Sequence, residues 1–296
     1  MPKNQNMKLY LTSFILLFTI ATFAQTKIHQ QAVIYTTMNI IAPEEEDVQN
    51  LQSNQEMRGG MNFRNMMDGE TKFITYLKND SIKTNIKSEM GRFAIYRDNN
   101  KKITTSIMEM MGNKMGFYTS DSEQVDMQKQ RDSMMQERRK KDTSAKRTSL
   151  IDRDNLSTDI IKTNETKKIA GILCNKAFIV STRFMMNKDT AIVWYAPDIK
   201  LKNLNSTGGF SNLPGMMSNM VPTLKGLDNV DGFVMGYTTK MRRNRILDVA
   251  VTKIELDKEI DNKEFSLPKD VELKPMREMR MMFGGGRDGF NRGGRD

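Results

Sequence analysis

Apolar and polar residues alternate with a period of two along most of this chain, and the alternating runs are bounded by Gly, Asn, Asp and Pro. That pattern is the signature of half-buried strands. It is clearest between Lys162 and Ile199. Residues 172–182 follow a turn at Gly171, and residues 190–195 place Ile192 and Trp194 on one face and Val193 and Tyr195 on the other. Residues 187–189 join the two runs and Pro197 closes the second, so the pattern predicts an antiparallel pair.

The same reading extends outward. Residues 27–41, rich in Ile, Val, Tyr and Thr, predict a strand that Pro43 ends. A meander follows over 71–77, 81–90, 93–96, 102–111 and 114–119, with turns at Asn79-Asp80, Gly91, 97–100 and Gly112-Asn113. In 81–90, Ile82, Thr84 and Ile86 share one face and Lys83, Asn85 and Lys87 the other, the pattern of an antiparallel sheet with one wet face. Residues 233–239 and 245–255 predict a hairpin, and Phe265-Ser266-Leu267-Pro268 a last apolar contact.

Four stretches break the alternation. Residues 44–67 are polar and read as a loop. Residues 120–150 are charged and free of Pro and Gly until the run ends, which favours an exposed helix or an unpacked connector. Within 203–232, Met216, Met217, Met220, Val221 and Leu224 fall at helical spacing, predicting one short amphipathic helix. Residues 276–296 are a Gly-, Arg- and Met-rich tail, expected to be disordered.

The beginning of the chain changes the compartment. Lys3 and Lys8 precede an apolar run over 9–23, and Thr22-Phe23-Ala24 forms a small-x-small cleavage site before Gln25. Residues 1–24 are therefore expected to be a signal peptide, and the mature protein to be exported to the periplasm or beyond, with no transmembrane segment of its own. Lys plus Arg is 46 and Asp plus Glu 36, a net charge of +10 that becomes +8 once Lys3 and Lys8 are removed. The single cysteine, Cys174, forms no intrachain disulfide, so core and sheet must hold the domain together.

The order of parts resembles a group of secreted Gram-negative domains allied to the GLPGLI family and to the LolA/LolB-like lipoprotein-carrier fold. The matching pieces are Lys167-Lys168-Ile169-Ala170-Gly171-Ile172-Leu173-Cys174-Asn175-Lys176, then Val193-Trp194-Tyr195-Ala196-Pro197-Asp198-Ile199. Leu213-Pro214-Gly215-Met216-Met217 resembles the signature L-P-G-L-I, with methionines in the last two places and Asn212 where the first Gly would be. Phe265-Ser266-Leu267-Pro268-Lys269-Asp270 resembles the closing motif. The resemblance implies a mainly β domain over 25–275. Its fold would be a single curved antiparallel sheet, an open half-barrel, with a short helix on the concave side and 120–150 as an insertion. In LolA-like proteins that concavity holds acyl chains. Trp194, Met216, Met217 and Met220 are then the candidate lining of a hydrophobic site.

Candidate chemistry elsewhere is thin. His29 is the only histidine and has no partners at ligand spacing. Cys174 sits beside Leu173 in an apolar strand and reads as a small buried hydrophobe. Asp228 and Asp231 lack the alternation of a calcium loop, and Ser211 is not in a G-x-S-x-G setting. No enzymatic activity, cofactor, catalytic residue or metal site is expected. The Arg-Gly tail of an exported protein is read as solvated, with no nucleic-acid partner. The 26 methionines suit core filling, a pliable apolar surface or soft Cu(I) ligation. Three functions stay open: a carrier of lipid or another hydrophobic ligand, an envelope protein-interaction module with a basic surface and no ligand, and a Met-rich copper-binding protein.

Overall fold

The computed structural model describes residues 27–41, 69–89, 91–110, 112–141, 158–182, 188–204, 224, 226–241 and 245–278. The expected signal peptide, most of the tail and the helix expected around Met216, Met217 and Met220 lie outside these residues.

The first described half is a six-strand meander. It comprises β2 (Gln31–Ile41), β3 (Gly69–Lys78), β4 (Ser81–Ser88), β5 (Gly91–Asp98), β6 (Ile103–Met110) and β7 (Asn113–Ser120). A helix, α1 (Asp121–Lys141), leaves the end of β7. The second half contains β8 (Thr158–Ile169), β9 (Ile172–Thr182), β10 (Lys188–Ala196), β12 (Phe233–Lys240) and β13 (Ile246–Leu256). The short strands β1 (Ile28–His29) and β11 (Lys200–Leu201) pair with each other in parallel.

Strand β13 returns to pair with β2, joining the halves into one sheet of order β14-β7-β6-β5-β4-β3-β2-β13-β12-β10-β9-β8, where β14 is Leu273–Pro275. The sheet is open: β14 and β8 are its outer strands and do not meet. All neighbours are antiparallel except β14, which lies parallel to β7. The mainly β fold with an open sheet is as the sequence predicts, and the parallel edge strand is an addition to it.

The strand faces follow the period-two pattern. Ile82, Thr84 and Ile86 are buried, whereas Lys83, Asn85 and Lys87 point to the other side. Cross-strand register carries the core face through Ile86, Phe73 and Thr36 in one direction and Phe93 and Met108 in the other. The hairpin between β8 and β9 turns at Ala170 and Gly171, with φ of 49° and 82°. Two consecutive positive φ values match the right-handed twist of a tight hairpin; glycine adopts the second freely, and alanine does so at a cost.

The chain after β13 crosses the outer face of the first half as a strap. Lys78 Nζ donates to the Ile260 carbonyl at 2.7 Å, Lys83 pairs with Glu264, and Lys114 pairs with Asp270. Ile260 is its buried anchor, Phe265 is half-buried and Leu267 is 39% exposed, so the expected apolar contact rests more on Ile260 than on Leu267. The strap ends as β14, which covers the free edge of β7. A covered edge removes a template for unwanted pairing.

Candidate ligand-binding face

The core face is built by cross-strand rows. One runs Ala177, Val193, Tyr237, Val249, Met38, Thr71, each directly opposite the next on the neighbouring strand. These residues are buried to within a few per cent of their surface. Residues of β5–β7 and of β9–β10 belong to one contiguous apolar cluster, so the core face runs without interruption across the sheet. Burial of the Tyr237 phenol pushes its pKa far above the ordinary tyrosine value. Hydroxyls are interspersed with the apolar groups, and Thr75 and Thr84 satisfy each other at 3.2 Å.

Among the described residues, seven partly buried hydrophobic side chains pack against that cluster, and four of them are methionines: Met110, Met115, Met127 and Met241. Unbranched thioether chains adapt their shape at little cost, which suits a surface that must accept variable apolar contacts. Met127 comes from α1, whose first turn is tied to the sheet by Arg97. The Arg97 guanidinium binds both Asp121 carboxylate oxygens, one of them at 2.9 Å, and also donates to Thr104 and Asn99. That hydrogen-bonded pairing holds the Asp121 carboxyl below the usual carboxylate range and the guanidinium above its own. Beyond the first turns the described α1 side chains are mostly exposed.

Trp194 packs outside this cluster. Its neighbours Val193 and Tyr195 enter the large cluster, while Trp194 shares the opposite face with Ile192. The indole is half-buried against a second cluster that joins Cys174, Ala196, Phe233 and Met235 to Ala32, Ile34, Leu77 and Ile82, which share their strand faces with Met38, Phe73 and Ile86. The ammonium of Lys167 lies 4.2 Å from the ring centroid and that of Lys176 at 5.9 Å. Met216, Met217 and Met220 lie outside the described residues, so the structure supplies no contact between them and Trp194. The lysines over the indole went unnoticed in the sequence, although the register of Lys176 opposite Trp194 follows from the β9–β10 pairing.

Cys174 is fully buried and its thiol is pushed up by desolvation, so it packs as a small apolar side chain. His29 Nδ1 lies 3.0 Å from Asp257 Oδ2, which Lys27 also contacts. These hydrogen bonds, that from Lys27 foremost, lower the Asp257 carboxyl. The three groups tie β1 to the start of the strap. Asp228 and Asp231 are exposed beside a short 3-10 turn, Leu227–Asn229. Among the described residues no cluster of three His, Cys, Asp or Glu side chains could hold a metal ion, and no helix is long and apolar enough to cross a membrane.

No family model and no curated protein matches this chain. Among solved structures it is similar to PNGF-II, with a TM-score of 0.35 and 15% identity over 86% of this chain and 33% of that one. It is also similar to MucB, with a TM-score of 0.36 and 6% identity over 83% of this chain and 60% of that one. A third is a domain from Vibrio parahaemolyticus described as an outer membrane lipoprotein-sorting protein, with a TM-score of 0.28 and 7% identity over 86% of this chain and 95% of that one. The chain thus spans a third of PNGF-II and under two thirds of MucB. Likeness of this degree leaves function to the chain's own residues.

Proposed function

We propose that this protein is a non-catalytic binding or carrier protein of the cell envelope. Its open sheet takes an apolar ligand, of the class of lipid acyl chains, against the core face. The observation that carries this reading is the set of half-buried methionines, Met110, Met115, Met127 and Met241, packed against an apolar cluster that spans both halves of the sheet. A fixed core favours branched side chains with few rotamers, whereas thioethers at its rim accommodate a guest. The signal-like residues 1–24 support action after export. LolA-like fold resemblance, read from the order of the motifs, supports a lipid or lipoprotein as the guest; it is an analogy of fold and not of site.

A fluorescent fatty-acid probe tests this. Its emission should rise saturably on adding the protein, fall on competition with unlabelled fatty acid, and weaken at least several-fold in Met115→Glu. No saturable response, or a response that Met115→Glu leaves unchanged, would count against the core face as the site. The copper reading draws on the same side chains, so a Cu(I) titration that blocks the probe would favour it instead.

A further inference from the structure

The last described residues change sides of the sheet. Strand β14 runs parallel to β7, with Pro275 opposite Tyr118. Met276 follows directly and is only 6% exposed. It belongs to the same apolar cluster as Phe117 of β7, against which Met115 and Met127 also pack. The strap therefore crosses the outer face, rounds the β7 edge and delivers a methionine to the core face. The tail that the sequence sets at residue 276 thus begins inside the core.

The chain beyond this anchor is patterned to follow it. Residues 276–278 begin a helical turn in which Met276 is buried and Arg277 exposed. Continued at 3.6 residues per turn, that turn puts Met279 and Phe283 on the side of Met276, and Met281 on the opposite side. Arg280 falls beside the stripe, where a long stem lies along an apolar rim with its charge in water. Met, Arg and Glu are good helix formers, and Gly284-Gly285-Gly286 stops the run. A helix over 276–283 is about 12 Å long, or about two to three strand spacings.

The occupant is chosen by attachment. Met276 holds the following residues at the cluster, so they meet the face at high effective concentration and with no long loop to close. Docking Met279 and Phe283 removes apolar surface from water where the chain already lies. The tail of a second copy is worse placed, because its own Met276 is fixed beside its own β7.

We infer that residues 279–283 continue the cover that Met276 begins, packing Met279 and Phe283 on the apolar cluster beside Met115 and Met127. The segment is then a built-in occupant of the core face, and an apolar guest must displace it. The competition rests on the guest proposed above; the docking itself does not.

The test is hydrogen exchange of the full chain read by mass spectrometry, with a fluorescent fatty acid as the probe of the face. Amides of 279–283 should exchange more slowly than those of 287–296, independently of protein concentration. Met279→Glu/Phe283→Glu should abolish that protection and bind the probe roughly fivefold more tightly, whereas Met281→Glu should change neither. A chain ended after Glu278, which keeps Met276, should bind the probe as the double variant does. Saturating probe should remove the protection in the unaltered chain. Unprotected 279–283, protection that Met281→Glu removes equally, or protection that appears only as a dimer forms would overturn the docking. Probe affinity that the double variant leaves unchanged would overturn the competition. Protection of 279–283 with no probe binding by any variant would uphold the docking and count against the carrier reading.

Discussion

Lys83 and Glu264 form a 3.0 Å ion pair that pins the C-terminal strap to the outer face of the sheet. The same ammonium lies between two aromatic rings, 5.7 Å from the centroid of Tyr76 and 5.5 Å from that of Tyr96, its direct neighbours on β3 and β5. Burial, with Glu264 as the next cause, raises both phenols. The strap is thus held by the half-buried Lys83 ammonium as well as by its buried apolar anchor, Ile260.

Removing that cation should cost more than removing its partner. Lys83→Ala loses the ring contacts, the packed alkyl stem and the ion pair, and should destabilise by about 2 kcal/mol. Glu264→Ala should cost about 1 kcal/mol. Urea denaturation of both single variants and the double variant measures the coupling. Strictly additive losses would mean that the pair does not hold the strap.

Gly116 lets the strap close on β7. A Cβ there would come within 2.5 Å of Leu273 Cδ2 and 2.8 Å of Val271 Cγ1. Gly116→Val should displace β14, cost about 1–3 kcal/mol, and expose the segment after residue 257 to limited proteolysis. A wild-type cleavage pattern would show that β14 bears no such load.

Trp194 shows how far alternation reaches. The sequence places Ile192 and Trp194 on one face and Val193 on the other, and the structure agrees. Which face becomes the core depends on partners: Val193 lies between Ala177 and Tyr237, both buried, whereas Trp194 lies between Lys176 and Gly236. Strand β8 was not legible as a strand because Lys162 to Lys168 is polar on both faces, as an edge strand exposed on one side can be. Strand β14 was missed because three residues ending in Pro275 form a strand only through distant pairing with β7. The meander was legible because every strand there has neighbours on both sides and one dry face.

Half-burial sets the size of the tryptophan effect. Trp194→Ala should cost about 1–2 kcal/mol, less than the 3–5 kcal/mol of a fully buried indole. Its emission should lie to the red of a buried tryptophan. A loss of the full core size, seen in thermal or urea unfolding, would place the indole deeper than this geometry does.

Acid should loosen the start of α1. The Asp121 carboxyl is lowered in the folded state by Arg97, so its contribution is present above the ordinary carboxylate pKa and fades as pH falls through the lowered folded value. Thermal unfolding followed from neutral pH to about pH 3 should show a drop that is smaller in Asp121→Asn. Equal drops in the two proteins would remove Arg97–Asp121 from the acid response.

Native mass spectrometry of protein purified without detergent from its own cell envelope is the most direct measurement of whether the core face holds a guest. The predicted spectrum contains a non-covalent adduct of lipid mass on the wild-type chain, released on activation and absent from Met115→Glu. Unliganded protein in every preparation, or an adduct that Met115→Glu retains at full occupancy, would contradict an apolar ligand on the core face.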